Sequence, residues 1–272
     1  MAQASVPVDP TNPGQVFACL GFMEAAETLL GDAEGGFDWG GQSDVRFTLR
    51  AAGGANPFSS VLEFLAEAEV CAFAPDGFTD VVAAPSDTYP VARADKMALP
   101  IHLELAAKNS AVMSHWADGS SRKPFKLYAG NRSAAKIAGD MSGLCGRLWR
   151  ACPHALTEQP FNVLIPMGGS FNFDPRSAWT SIDTGYSPNT VEHSVAASPV
   201  VELLAALGLE NARPYEYGLR QVRYGIWGVL VPVSLARPAL AAVDVGLPLR
   251  RFTFTLDLSG KNKVVTFAEE EA

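Results

Sequence analysis

The chain has 272 residues, of which 48% are apolar, 18% charged and 10% aromatic. This composition is typical of a globular protein and excludes a chain that is disordered over most of its length. The net charge of −8 gives no overall basic field that would attract nucleic acid. The charge is unevenly distributed, because residues 1–90 hold 13 acidic and two basic side chains, whereas residues 91–272 hold 16 acidic and 19 basic ones. We therefore expect any polyanion to meet the second part.

The sequence also indicates where the protein resides. No apolar run has the length of a membrane span, and the first residues lack the basic start and apolar core of a secretion signal. A cytoplasmic protein without a membrane partner is expected. The four cysteines lack the spacing of metal ligands, so we predict buried reduced thiols, no metal and no other cofactor. They are Cys19, Cys71, Cys145 and Cys152.

Turn and cap residues place the first elements. A helix is predicted over 13–30, with Asn12 as its N-cap and Gly31 at its end. Alternation of apolar and polar residues predicts a strand near 45–49, and Pro57 begins a second helix.

The middle of the chain contains more breaks. Between residues 70 and 105, short apolar runs alternate with proline and glycine, which favours strands. Residues 108–132 are predicted to be loop-rich, and a helix is predicted from Ser133 to about Arg150, closed by Pro153. A strand is predicted over 161–165.

The last third combines one helix with strands. Pro199 begins a helix that ends at Gly208, and apolar runs over 219–233 and 252–258 indicate strands. The Ser259-Gly260-Lys261-Asn262 turn predicts a final β-hairpin.

The fold class predicted from these elements is α+β, with mixed short strands, a few buried helices and a C-terminal β-hairpin. The chain forms either one compact domain or two small lobes, an acidic one over 1–107 and a basic one over 108–272. The two apolar helices share a Leu-Gly phrase, at Leu20-Gly21 and at Leu207-Gly208. This similarity indicates either a weak internal duplication or chance.

The densest positive charge lies in residues 121–150, where seven basic residues accompany one acidic residue, Asp140. The basic residues are Arg122, Lys123, Lys126, Arg132, Lys136, Arg147 and Arg150. Phe125, Tyr128 and Trp149 are interleaved with them, and nucleic-acid contacts use this mixture of phosphate-pairing cations and stacking rings. The alternative is a solvated basic face, with Lys136 and Asp140 as an i,i+4 pair.

A second basic and aromatic group follows the last predicted helix and could line a groove. Its members are Arg213, Tyr215, Tyr217, Arg220, Arg223, Tyr224 and Trp227. Arg220 and Arg223 are three residues apart, so on one strand they would face opposite sides.

Catalytic motifs do not stand out. The sequence has no nucleophile elbow, phosphate-binding loop, dinucleotide-binding glycine motif or zinc-protease motif. The histidines are scattered, at His102, His115, His154 and His193. An RNA-cleaving site that uses His115 or His154 with Lys123 or Tyr128 remains an alternative. A protein that is not an enzyme is expected.

Several phrases, in order along the chain, together resemble a CRISPR-associated family. They are Asp9-Pro10-Thr11-Asn12-Pro13-Gly14-Gln15-Val16-Phe17-Ala18-Cys19-Leu20-Gly21, Phe125-Lys126-Leu127-Tyr128-Ala129-Gly130-Asn131, Phe173-Asp174-Pro175-Arg176-Ser177-Ala178-Trp179, the stretch 183–189 and the stretch 200–209. The family is the compact large-subunit-like protein of type I-G (formerly I-U) Cascade complexes, in the Csb group. The resemblance spans about residues 6–268.

The resemblance implies a non-catalytic subunit of an RNA-guided surveillance complex in antiviral defence. Such a subunit helps to read the protospacer-adjacent motif, contacts double-stranded target DNA and the crRNA, and recruits the helicase-nuclease. Its protein partners are the backbone and handle-binding subunits of Cascade. Sequence recognition in such complexes is mostly delegated to guide pairing, so the protein needs no active site.

On this interpretation, the candidate nucleic-acid contacts are Arg122, Lys123, Lys126, Tyr128, Arg132, Lys136, Arg176, Asn189, Arg220 and Arg223. Lysine and arginine would pair with phosphates, and Tyr128 would stack on a base. Arg176 and Asn189 are candidates for base edges in a groove, because Arg and Asn can pair with them. The alternatives are an ion pair of Arg176 with Asp174 or Asp183, and a turn-forming role for Asn189.

Two other functions remain open. The protein could be a scaffold that only bridges the proteins of the complex, or a metal-independent endoribonuclease that matures the guide RNA.

Overall fold

The computed structural model describes residues 1–41, 44–72, 101–105, 109–113, 116, 125–128, 134–177, 195–259 and 262–271. The helices in these ranges are α1 (Pro13–Leu29), α2 (Pro57–Glu67), α3 (Ala134–Ala151), α4 (Pro153–Glu158), α5 (Pro199–Gly208) and α6 (Val233–Leu240), with a 3-10 turn at Pro175–Ser177. The strands are β1 (Ala2–Pro7), β2 (Glu34–Asp38), β3 (Arg46–Ala51), β4 (Glu69–Ala72), β5 (Ile101–Leu105), β6 (Asn109–Val112), β7 (Ile165–Pro166), β8 (Ala196–Ala197), β9 (Tyr215–Gly218), β10 (Gln221–Trp227), β11 (Val231–Pro232), β12 (Leu249–Ser259), β13 (Asn262–Val265) and β14 (Glu269–Glu270).

A polar cap followed by proline begins each of the helices α1, α2 and α5. The side chains of Asn12, Asn56 and Ser198 accept hydrogen bonds from backbone N–H groups of the first turn. Proline at the next position lacks an N–H and has a φ that suits a helix start. The predicted starts of these helices are confirmed. Gly31 follows α1 with a φ of +80°.

The strands pair antiparallel in four sheets. The largest has the order β13-β12-β10-β9, with β14 also paired to β12, and a second has the order β1-β3-β2-β11. The two smaller sheets are β4-β5-β6 and β7-β8. Ser259 pairs with Asn262, which confirms the predicted C-terminal hairpin. Helices beside antiparallel sheets make this an α+β fold, as predicted.

One sequence-based prediction is wrong. The strand predicted over 161–165 is reduced to Ile165 at the start of β7, because residues 160–162 form a turn closed by the Asn162 N–H and the Gln159 carbonyl oxygen. Phe161 is buried against Phe22, so its apolar character reflects an anchor in the core. The region 108–132, predicted to be loop-rich, contains β6 among its described residues.

The core centres on α1, which is buried over most of its surface and packs against α5. Two glycines permit this packing. A β-carbon on Gly21 would lie 1.9 Å from the Leu204 carbonyl oxygen, and one on Gly208 would lie 2.4 Å from the Phe17 carbonyl oxygen. The shared Leu-Gly phrase therefore marks the place where the two helix backbones meet.

One cluster of buried residues extends from Val6 to Ala268. Three hydrogen bonds from late residues reach early ones: the Tyr224 hydroxyl donates to the Pro10 carbonyl oxygen at 2.5 Å, the Trp227 indole donates to that of Gly35, and the Ala268 N–H donates to that of Thr11. The division into lobes at residue 107 stays a prediction.

Candidate nucleic-acid interface

Lys126 and Tyr128 lie in the core in this structure. Their exposed fractions are 6% and 4%. The Lys126 ammonium lies 4.6 Å from the centre of the Tyr128 ring, and the Tyr128 hydroxyl donates to the Trp116 carbonyl oxygen at 2.9 Å. The ring also packs edge-on against Phe171. A phosphate or a base would reach these two side chains only if residues 125–128 moved.

The remaining basic residues of 121–150 lie either on α3 or outside the described residues. Lys136, Arg147 and Arg150 are exposed on α3. Opposite its exposed surface, Ile137, Met141 and Cys145 are buried. The candidates Arg122, Lys123, Arg132 and Asn189 lie outside the described residues.

Arg176 is held by an ion pair. Its Nε donates to Asp174 Oδ1 at 2.9 Å, its Nη2 donates to Asp174 Oδ2 at 2.7 Å, and Nη2 also donates to the Phe161 carbonyl oxygen at 2.7 Å. Of the interpretations weighed from the sequence, the ion pair with Asp174 is the one that the structure contains. Its guanidinium therefore ties the 3-10 turn to the buried loop before it.

Asp174 belongs to a buried polar cluster with Asn12, Ser198 and Glu202. Asn12 donates its side-chain amide to Asp174 at 3.2 Å, and the Ser198 N–H points at the same carboxylate. Glu202 accepts from the N–H of Asp174 at 2.8 Å and from that of Phe173 at 3.1 Å. All four residues are fully buried, so the cluster joins the starts of α1 and α5 to the 171–177 segment and offers no access to a substrate.

Burial raises the pKa of the Glu202 carboxyl from 4.5 to about 8. The backbone N–H of Asp174 lowers this pKa, and repulsion by the Asp174 carboxylate raises it, but burial has the largest effect. The sequence signal was a lone glutamate in an apolar helix, Val200-Val201-Glu202-Leu203, and sequence reasoning missed its role.

Exposed aromatic and basic side chains lie together on the β9–β10 hairpin. We call Tyr215, Tyr217, Arg220 and Arg223 the hairpin patch. Tyr215 and Tyr217 are 54% and 42% exposed, and their ring centres are 6.2 Å apart. Tyr215 is paired with Arg223 across the hairpin, so these side chains share one face of the sheet. The pairing register shifts at Tyr217, where β9 holds one extra residue, and the ring contacts with Tyr215 and Arg223 place Tyr217 beside them.

The arginines of the hairpin patch occupy different positions. The Arg223 guanidinium carbon lies 4.9 Å from the centre of the Tyr217 ring, and its Nε donates to Glu271 at 2.7 Å. Arg220 is exposed in the hairpin turn with a φ of +62°, so the alternation expected for two residues on one strand does not set its direction. The predicted groove loses two members, because Tyr224 and Trp227 are buried and donate to the backbone of early residues.

A second surface is an open acidic cleft of about 500 Å³ between α1, β6 and the end of α5. Glu24, Glu27 and Glu210 line it over an apolar floor that includes Leu207. Arg237 forms a two-point ion pair with Glu24, at 2.7 and 2.8 Å.

The described residues contain neither a cluster of metal ligands nor a membrane-spanning helix. No three His, Cys, Asp or Glu side chains lie together so that they could hold a metal ion. No helix in the described ranges is long and apolar enough to cross a membrane.

Comparisons of the chain with protein-family models, with curated proteins and with solved structures found no match.

Proposed function

We propose that this protein is a non-catalytic subunit of a type I-G CRISPR surveillance complex. In the cytoplasm it contacts target DNA on the side of the protospacer-adjacent motif and the crRNA, binds the backbone and handle-binding subunits, and recruits the helicase-nuclease in antiviral defence. The proposal combines the ordered phrases that resemble the family with one structural observation, the hairpin patch.

The hairpin patch supports a nucleic-acid contact because it combines rings with cations on an exposed sheet face. Arginine pairs with phosphate oxygens, and tyrosine rings present flat apolar faces to bases. Arg223 is aligned on the Tyr217 ring by Glu271, so its position is set before any ligand arrives. Pre-set side chains lose less conformational entropy on binding.

The acidic cleft and the exposed acidic residues of α2 support the part of the proposal that concerns protein partners. Glu63 and Glu67 are exposed on α2, and three glutamates line the cleft. Negative surfaces repel DNA and favour basic protein partners. A subunit that bridges DNA and proteins needs both kinds of surface.

The test is reconstitution with the proteins encoded beside this one and a guide RNA. The purified assembly is measured for binding to target duplex over a range of salt concentrations, with wild type and with Arg220→Glu/Arg223→Gln. We expect the variant to assemble, to lose roughly tenfold or more in affinity and to show a shallower salt slope, because phosphate contacts release counterions.

The matched control is Arg46→Glu/Arg50→Gln. It makes the same charge change at an exposed arginine and an ion-paired arginine on β3, in another sheet. This control should bind like wild type. Equal affinity of all three assemblies would instead favour a protein-only scaffold, and failure of wild type to assemble would overturn the CRISPR assignment.

A further inference from the structure

We propose that the hairpin patch binds single-stranded DNA by stacking successive bases on Tyr215 and Tyr217. The choice of DNA as the polymer rests on the proposed function, whereas the stacking geometry rests on the structure alone.

The two tyrosines differ from the other tyrosines that the structure describes. Tyr128 and Tyr224 are buried, and each uses its hydroxyl to bind a backbone carbonyl. Tyr215 and Tyr217 are exposed neighbours on an outer strand of the largest sheet, with their ring planes tilted by 31°. The bulge at Tyr217 does not separate the two rings, which lie side by side with their centres 6.2 Å apart.

Arginines beside the rings can supply phosphate contacts, although acidic side chains share the same face. Arg223 lies against Tyr217, and Arg220 is exposed at the turn one residue before β10. Arg251 on β12 is paired with Gly225 on β10. Because Gly225 is two residues after Arg223 on the same strand, Arg251 and Arg223 lie on the same face of the sheet. Glu271 pairs with Arg223, and Glu269, opposite Thr253 in the same sheet, lies on this face too. The main phosphate contact is therefore assigned to Arg220, which is exposed in the turn.

The geometry favours unpaired bases over a duplex. In a duplex the base faces stack on each other and only their edges and the phosphates can be reached. Exposed rings on a sheet match the faces of splayed bases, and such stacking tolerates any sequence. When the guide pairs with one strand of its target, the other strand becomes single-stranded, which supplies this ligand.

The experiment measures fluorescence anisotropy of a labelled oligothymidine with the full-length isolated chain. Its variants are Tyr215→Ala/Tyr217→Ala and the conservative Tyr215→Phe/Tyr217→Phe. We expect the alanine variant to lose roughly thirtyfold or more in affinity, since removal of one stacking ring costs about fivefold or more and the variant removes two. The phenylalanine variant keeps both rings and should bind within about twofold of wild type.

Two further variants test specificity. Phe267→Ala removes a ring of similar exposure beyond β13, at the other side of the same sheet, and should bind like wild type. Arg220→Gln should reduce the slope of log affinity against log salt by roughly 0.7, the value for one phosphate of a single strand. Circular dichroism and thermal unfolding establish that each variant is folded.

Several results would overturn the proposal: no binding by wild type, equal binding by the alanine variant, or tighter binding of the duplex than of the single strand. Tighter binding of oligouridine than of oligothymidine would replace DNA by RNA and overturn the assignment. Because this measurement uses the isolated chain, its failure leaves the assembly experiment unaffected, and a failure to assemble leaves this measurement intact.

Discussion

At the scale of single residues, the buried polar cluster shows how a few hydrogen bonds order a loop. Glu202 is the one ionisable residue of α5, and its carboxyl accepts hydrogen bonds from the backbone N–H groups of residues 173 and 174. The Asp174 carboxylate in turn accepts hydrogen bonds from the side chains of Asn12 and Arg176. Buried polar groups of this kind are costly when a partner is removed, so each member supports the others.

The raised pKa of Glu202 makes stability depend on pH. The folded protein holds the Glu202 proton more tightly than the unfolded chain, because the pKa is about 8 in one and 4.5 in the other. The contribution is therefore complete below pH 4.5, declines by roughly 1.4 kcal/mol per pH unit above it, and is lost above the folded pKa. Denaturant unfolding of wild type should show this decline between pH 5 and 8, and Glu202→Gln should lack it.

Glu63→Gln is the control for this experiment, since Glu63 is exposed on α2. It should keep the pH dependence of wild type. An unchanged pH dependence in Glu202→Gln would show that another group is responsible.

The two asparagine caps provide a matched pair. Asn12 caps α1 and also donates to Asp174, whereas Asn56 is an exposed cap of α2. Asn56→Ala should cost about 1 kcal/mol of unfolding free energy, and Asn12→Ala about 2–3 kcal/mol, because it also leaves a buried carboxylate with one donor fewer. Chemical denaturation at neutral pH measures both, and equal losses would contradict the added role of Asn12.

At the scale of elements, the crossing of α1 and α5 depends on the absence of two side chains. Gly21→Ala or Gly208→Ala would place a methyl group against a backbone carbonyl of the other helix. Backbone cannot move aside as a flexible side chain can, so each variant should lose roughly 3 kcal/mol or fail to accumulate in soluble form.

Gly139→Ala on α3 is the matched control for these substitutions. Among the described residues nothing lies within 4 Å of its added β-carbon, so it should raise stability by about 0.5–1 kcal/mol through helix propensity. Thermal unfolding ranks the three variants. A Gly21→Ala protein as stable as wild type would contradict the close crossing.

Helices and turns were predicted well where the residues that begin or end them lie within the element itself. Asn12 with Pro13, Pro199 with Gly208, and the Ser259–Asn262 turn each contain the signal of their own element. Phe161 was misassigned because an apolar residue in a buried turn has the same composition as one in a strand.

The candidate site was harder to predict, because exposure depends on tertiary packing. Lys126 and Tyr128 have the chemistry of a contact residue, yet Trp116 and Phe171, which enclose Tyr128, come from other parts of the chain. Tyr215 and Tyr217 were grouped correctly with arginines, but nothing in the sequence separates them from the buried Tyr224 and Trp227.

At the scale of the whole molecule, early and late residues share one core. The hydrogen bonds from Tyr224, Trp227 and Ala268 all end on the first 35 residues. We therefore expect a single cooperative unfolding transition. Circular dichroism and tryptophan fluorescence should report the same midpoint for it. The segments 1–107 and 108–272, expressed apart, should not unfold cooperatively, and a cooperative transition in either would support the two-lobe division instead.

The separation of α1 from α5 also affects how the protein is made. About 170 residues lie between the end of α1 and the start of α5. At ribosomal rates of about 5–20 residues per second, α1 waits roughly 10–30 s before its partner helix has been synthesised. During that interval α2, β2 and β3 can pack against α1, but the face of α1 that meets α5 in the folded protein lacks its partner. A chaperone that holds nascent chains is therefore expected to shield the first thirty residues until translation reaches the last third of the message.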